Sequence, residues 1–380
     1  MKSPPFCPNP HCRHHYQDYS RSKGGWFCGD GTFESLREGE TQRYRCRDCG
    51  KRFSTSTFST DYYAKRRISL PRLRRMLVSG SSVRAASRQL FCSPSAVSRR
   101  LIILARQSLA CHQALGSYLT RSEALVADGF HSFWVSQYHP NTFNLLCGSD
   151  SQYVYALTSV SLKRSGRMSA VQRRKRAQIE RSHPSDPAAL ERSFAELATE
   201  AVRLWHHQSR AQSGAPPCGT LITDEHKTYP RSILPLRGQT QITHVQVSSR
   251  QPRTGDNPLF AVNYIDREIR KDLAEHHRET VCFARNAAHS VARMWVYLVW
   301  HNSEKPYRIS PRCERTHAEV AGATATEVRR FRGRIYRRRQ FLSRCMGLSE
   351  AQRRDWLQLH WTPERENRRN LRVTPAYASL

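Results

Sequence analysis

Acidic side chains are scarce in this chain of 380 residues: 31 Asp and Glu stand against 62 Lys and Arg, a formal charge of +31. A surface that positive repels cationic partners and concentrates polyanions, which makes nucleic acid the leading partner. Long apolar runs are missing as well. Met294 to Trp300 (MWVYLVW) falls far short of the roughly 20 residues of a membrane span and reads as core. No lipidation signal or basic amphipathic helix accompanies the charge, which argues against a membrane-coating role. The opening MKSPPFCPNP has no signal-peptide stretch, so a cytoplasmic protein with reduced thiols is expected.

Cysteine, by contrast, is plentiful. Twelve thiols in a reducing compartment point to metal ligation by a subset rather than to disulfides. Cys7-Pro-Asn-Pro-His-Cys12 and Cys46-Arg-Asp-Cys49 are two close pairs separated by 33 residues. Each pair in a tight turn supplies half of a tetrahedral zinc shell, and four thiolates leave no open position for water, so the zinc is structural. His11 is an alternative to Cys12, and Cys28 a further candidate. Cys92, Cys111, Cys147, Cys218, Cys282 and Cys313 sit singly and read as small buried hydrophobes. Tyr44, Arg45, Lys51, Arg52 and Phe53 mix charge and aromatic surface, as either a nucleic-acid contact or ribbon packing requires.

The length leaves room for several small domains. Residues 1–60 are the metal-held module. Residues 61–118 turn helical, with Leu70, Leu73 and Leu77, then Val83, Ala86 and Leu90, then Val97, Leu101 and Leu104 at spacings of three and four, which predicts three short helices. Ser82 to Leu90 reads as one helix, Phe91-Cys92 as a turn and Ser93 to Leu101 as the start of a second, with Ser93 as N-cap and Pro94 in the first position. Ala86, Leu90, Val97 and Leu101 form the expected interior. That leaves Ser95, Ser98, Arg99 and Arg100 to face a DNA major groove.

Strand-like segments follow at ALVADGFHSFWV, FNLLCG and YVYALTSVSL, then a basic stretch, Lys163 to Arg181, taken as an exposed loop or insertion within 163–185. A helix over Pro187 to His207, strands at Gly219 to Thr223 and His244 to Val247, and one long helical stretch from Phe260 to His301 complete an α/β layer pattern over 119–309. Residues 310–380 form a basic, arginine-rich tail.

Two of the few acids stand alone at strand ends. Asp128 closes Leu125-Val-Ala-Asp, and Asp224 closes Leu221-Ile-Thr-Asp. Carboxylates brought together from separate strands repel unless cations lie between them, so the pair implies divalent metal, Mg²⁺ or Mn²⁺. Two such ions about 4 Å apart activate a nucleophile and stabilise a leaving oxygen in phosphodiester chemistry.

The order zinc ribbon, helix-turn-helix, strand with Asp, strand with Asp-x-His-x-x-Tyr, and a helix reading Asn263-Tyr-Ile-Asp-Arg-Glu-Ile-Arg270 ahead of Arg278 resembles DDE-type insertion-sequence transposases. It is most similar to small bacterial elements with an N-terminal zinc ribbon, over residues 5–308. The resemblance implies a ribonuclease H-like mixed sheet flanked by helices, two Mg²⁺ ions, nicking at element ends and attack of the freed 3′ hydroxyl on target DNA. Asp128 and Asp224 match its first two catalytic positions. The expected third glutamate is missing; Asp266 shares a helical face with Asn263 and Arg270 and takes its place, with Glu268 and Glu279 as alternatives. His226 and Tyr229 are placed to position phosphate or Asp224, and Arg270 and Arg278 to contact phosphate. An oligomer acting on DNA is expected. A DNA-binding regulator, an inactive transposase-derived protein and an RNA-binding protein are the competing readings; none of them needs the aspartate pair.

Overall fold

Short, punctuated segments make the cysteine-rich end a set of hairpins. In the computed structural model, which describes residues 3–19, 25–35, 39–62, 64, 66–212, 217–278 and 280–363, strands β1 (Phe27–Ser35), β2 (Gly39–Cys46) and β3 (Arg52–Ser54) form an antiparallel sheet. Its small core is aromatic: Phe6, Trp26, Tyr44, Phe53 and Phe58 pack together with Phe341 from the far end of the chain. Tyr44 and Phe53 are therefore packing residues rather than a contact surface, while Arg45, Lys51 and Arg52 are exposed.

Three helices follow: α1 (Leu70–Val78), α2 (Val83–Gln89) and α3 (Pro94–Gly116). The Ser82 hydroxyl accepts from the Ala85 amide and the Ser93 hydroxyl from the Ala96 amide, each capping a helix as expected. Ala86, Val97 and Leu101 are buried, and Leu90 is half-buried against them. The third helix is long rather than short, because the apolar residues continue past Leu104 to Leu115 and pack on a later helix.

A meander of β4 (Leu125–Phe133), β5 (Pro140–Gly148) and β6 (Val154–Ser161) leads to α4 (Ala170–Ser182) and α5 (Ala189–Gln212), then β7 (Cys218–Asp224), α6 (Thr228–Ile233) and β8 (Gln241–Val247). The strands form one mixed sheet in the order β6-β5-β4-β7-β8, antiparallel on the β6 side and parallel across β4, β7 and β8. Alternation along β4 sorts its side chains: Leu125 and Ala127 join the apolar cluster under α5 and α6, whereas Val126 and Phe130 join the larger one on the opposite face. The expected loop at 163–181 is in part the helix α4. It is capped by Ser169 and Gln172 reciprocally, and its exposed placement hides it from a periodicity argument.

The single helix expected from Phe260 to His301 is two: α7 (Phe260–Asp272) and α8 (Ala287–Ser303). Buried polar contacts break it. His276 reaches the Ser132 hydroxyl (3.0 Å), Glu275 accepts from Ser290 (3.0 Å), and Asn286 caps α8 through the His289 amide. The chain then folds as β9 (Pro306–Arg308), β10 (Cys313–Thr316), α9 (His317–Val320), α10 (Ala325–Arg337) and α11 (Glu350–Leu357). The expected tail is thus ordered structure up to residue 363, with Phe331, Ile335 and Trp356 in the main core. Of its arginines, Arg329, Arg330 and Arg337 are exposed on α10, Arg332 and Arg334 are half-exposed on it, and Arg338 and Arg339 follow the helix and contact the N-terminal module. Among the described residues no helix is long and apolar enough to cross a membrane.

Candidate functional site

Parallel pairing of Leu125 with Leu221 and Val126 with Ile222 puts β4 and β7 in a register that, two residues on, sets Asp128 level with Asp224. Both carboxylates leave adjacent strands at the same row. Asp224 ends β7 as expected and accepts from the His226 amide (2.9 Å), but Asp128 does not end its strand: β4 runs on to Phe133, still paired with β5, and Asp128 lies within it, accepting from the Gly129 amide (2.7 Å). The buried Tyr229 also acts on Asp128, helping to hold its carboxyl in the charged form.

Asp266 completes the group from α7, the helix over the same sheet face. Burial and the neighbouring Asp128 raise its carboxyl to about 8, against the opposing pull of Arg270 and Arg253. Its Oδ1 is buried and has no hydrogen-bond partner among the described residues. Burial, and after it Asp224, likewise raises Asp128 to about 6, although Gly129, Arg253 and Tyr229 act in the other direction. Asp128 and Asp266 resist ionising together, and a site built on two such carboxyls calls for a cation in its charged state. Their oxygens are more widely spread than the cysteine sulfurs described below, which form the one tight cluster of potential ligands among the described residues.

The other residues singled out from sequence divide sharply. Glu268 turns to the opposite side of α7, buried, where Lys305 and Lys271 (2.5 Å) bind its carboxylate; burial alone would raise it, and these two hydrogen bonds bring it below the usual range instead. It is an ion-pair residue, not a third site acid. Glu279 lies outside the described residues. Arg270 lies over the Phe130 ring (4.6 Å) and donates to the His131 carbonyl (3.4 Å), bordering the site; Arg278 and His226 are exposed. Ser95 and Arg99 are exposed at the start of α3 and Ser98 is half-exposed, but Arg100 is buried. Its guanidinium binds the Thr60 carbonyl (2.9 Å), the Ile68 carbonyl (3.2 Å) and Asp61, so it ties the entering chain to α3 and faces away from any groove.

Arg253, in the loop before α7, is a site neighbour that no sequence pattern singles out. It influences both Asp128 and Asp266. No spacing rule marks a lone arginine in a Pro- and Gly-rich loop.

At the other end of the molecule, Cys7, Cys12, Cys46 and Cys49 place all four sulfurs within 4.8 Å of one another. Cys7 and Cys49 are 3.6 Å apart, and Cys12 and Cys46 are 3.7 Å apart. Those separations are far beyond a disulfide bond. They match the roughly 3.8 Å edge of a tetrahedron whose centre lies about 2.3 Å from each sulfur, the zinc–thiolate distance. The four cysteines could therefore hold a metal such as zinc. Gly50 makes the second turn possible, because its φ of 69° would strain an L side chain directly after Cys49. His11 is not a member, and Cys28 sits apart, near the Arg45 carbonyl. Of the single cysteines, Cys111 and Cys147 are buried as expected, Cys92 and Cys313 are half-buried, and Cys218 and Cys282 are exposed. Comparison with known protein families and with curated proteins finds no match for this chain.

Proposed function

We propose that this protein is a DNA transposase of the DDE type, with a zinc ribbon and a helix-turn-helix that bind DNA and a ribonuclease H-like domain that cuts and joins it. The observation that carries the reading is the placement of Asp128 and Asp224 in one row of the adjoining inner strands β4 and β7, with Asp266 beside Asp128 and one buried Asp266 oxygen without a partner among the described residues. Burying carboxylates without hydrogen bonds is costly, and a pure DNA-binding regulator has no use for that cost. The five-stranded mixed sheet between helices is the frame such a catalytic domain needs.

Two Mg²⁺ or Mn²⁺ ions bound there would supply a metal-activated nucleophile and charge neutralisation at the scissile phosphate. The aspartates would be the ligands. Tyr229 favours the charged form of Asp128, and Arg270 and Arg253 sit where phosphate charge would accumulate. Ser95, Ser98 and Arg99 offer base and phosphate contacts from α3, and the four cysteines keep the N-terminal module folded around zinc.

The test is cleavage and strand transfer on DNA carrying the repeats that flank the gene, with Mg²⁺ or Mn²⁺. Asp128→Asn and Asp224→Asn should each abolish both reactions and leave DNA binding intact. Full activity in either variant overturns the reading.

A further inference from the structure

The segment that joins β6 to α5 builds a helix without a core. Among the described residues nothing buries α4: not one of its 13 residues is buried. Residues 163–181 hold eight basic side chains and a single acid, Glu180, which Lys163 already pairs at 3.5 Å. Four consecutive cations, Arg173 to Arg176, run round more than one turn of the helix. A helix this short is marginal in water, and neighbouring like charges weaken it further. The capping box at Ser169 and Gln172 offsets only part of that.

Its position is defined by the sheet. Ser161, the last residue of β6, pairs with Asn141, which pairs with Ser132; Leu157 and Leu145 stand in the row of Asp128. The helix therefore leaves the sheet at the end beyond the aspartates, four residues or roughly 13 Å further along the strands. Arg164 (4.6 Å) and Lys175 (4.8 Å) stack on Tyr138 in the β4–β5 turn and anchor it there. Arg173, Arg174 and Arg181 remain exposed.

We infer that α4 is a docking surface for the phosphate backbone of double-stranded DNA, read without sequence preference, and that it holds the duplex leaving the aspartate site. This rests on the DNA-processing reading above. One helical turn of duplex spans about 34 Å, so DNA lying over Asp128 extends past α4. Guanidinium groups bind phosphate oxygens in pairs, and neutralising the helix by phosphate removes the repulsion that otherwise weakens it.

The experiment uses the full chain in EDTA, with duplex of unrelated sequence, so that binding is read apart from cleavage. Wild type should bind with a steep salt dependence, and residues 170–182 should gain hydrogen-exchange protection when duplex is added. Replacing Arg173, Arg174 and Arg181 together by Gln should lower the slope of log affinity against log salt by about 0.9 for each phosphate no longer neutralised, about two to three in total. The corresponding triple Lys variant should restore it. If the triple Gln variant does not fold, Arg174→Gln alone decides, with an expected fall of about 0.9. An unchanged slope together with unchanged exchange at 170–182 overturns the inference, as does a triple variant that keeps its slope but loses self-association, which would assign α4 to a second copy of this chain. Wild type that binds duplex in this way but never cleaves with Mg²⁺ or Mn²⁺ ends the strand-transfer reading and leaves the α4 surface standing.

Discussion

Asp266 and Glu268 lie two residues apart on α7 and face opposite surroundings: Asp266 turns toward Asp128, and Glu268 is locked by Lys305 and Lys271. Two residues on a helix are a rotation of about 200°, enough to place one carboxylate beside Asp128 on the inner strand β4 and the other against Lys305 just after α8.

That division predicts different losses. Asp266→Asn should remove strand cleavage and leave the melting temperature near that of wild type. Glu268→Gln should leave the chemistry of the folded protein in place but destabilise it by about 3 kcal/mol or more, because Lys305 is buried and would lose its partner. Cleavage assays beside thermal melts check this; a fully active Asp266→Asn protein refutes the assignment of the third acid.

For the cysteine centre, elemental analysis should give one zinc per chain. A strong chelator or Cys46→Ser should remove the metal and the fixed packing of Trp26, which stacks on Phe53 at 5.7 Å. The near-ultraviolet signal of the aromatic cluster should fall while helical content largely persists. A metal-free chain that keeps that signal argues against a structural ion.

Arg99 and Arg100 are neighbours with separate duties. Arg99→Ala should weaken DNA binding and change stability by no more than about 0.5 kcal/mol, as an exposed substitution does. Arg100→Ala should cost about 2 to 4 kcal/mol, since it removes the ion pair to Asp61 and the donor of the Thr60 and Ile68 carbonyls. Equal stability of the two variants is the result that contradicts this.

Much of this arrangement is legible in the residue pattern. The cysteine pairs, the capped start of α3 and the strand ending at Asp224 each follow from local spacing, which a chain carries openly; Asp128 looks like a strand end only until β5 pairs on to Phe133. What hides is non-local. The break between α7 and α8 comes from His276 and Glu275 finding partners on β4 and α8, with neither Gly nor Pro to announce it. Arg100 looks like a surface cation until the segment at Thr60 to Ile68 closes over it. Arg253 reaches the aspartates from a loop whose path no periodicity encodes, and the buried face of α10 shows only once Phe331 and Ile335 have the core to pack against.

Two core histidines should weaken the fold in acid. His301 and His317 are stacked at 3.9 Å in the core; burial holds His301 well below the ordinary histidine range and lowers His317 to about 4. Both are neutral when folded and free to protonate when unfolded. Their contribution to stability is therefore fully present above about pH 6.5 and is lost as pH falls from there toward 4, by about 1.4 kcal/mol per pH unit for each histidine. Asp128 and Asp266, raised when folded, act in the opposite sense over the same window, so the comparison of variants is what reads the histidines: in denaturant melts His317→Gln should lose less stability than wild type on acidification, by about the contribution of one proton. Equal pH dependence of wild type and His317→Gln would exclude this origin.

Two arginines decide how the ends of the molecule move. Arg74 on α1 pairs with Glu304 just after α8, and Arg293 on α8 donates to the Leu77 (3.0 Å) and Ser81 (2.7 Å) carbonyls. Both guanidinium groups are buried, and α3 packs along the same helix. In the proposed reaction α8 then acts as a ruler: the bases gripped at α3 and the phosphate offered to the aspartates keep a fixed helical phase. About five base pairs inserted between them would turn the scissile bond to the far side of the duplex, whereas about ten would return it.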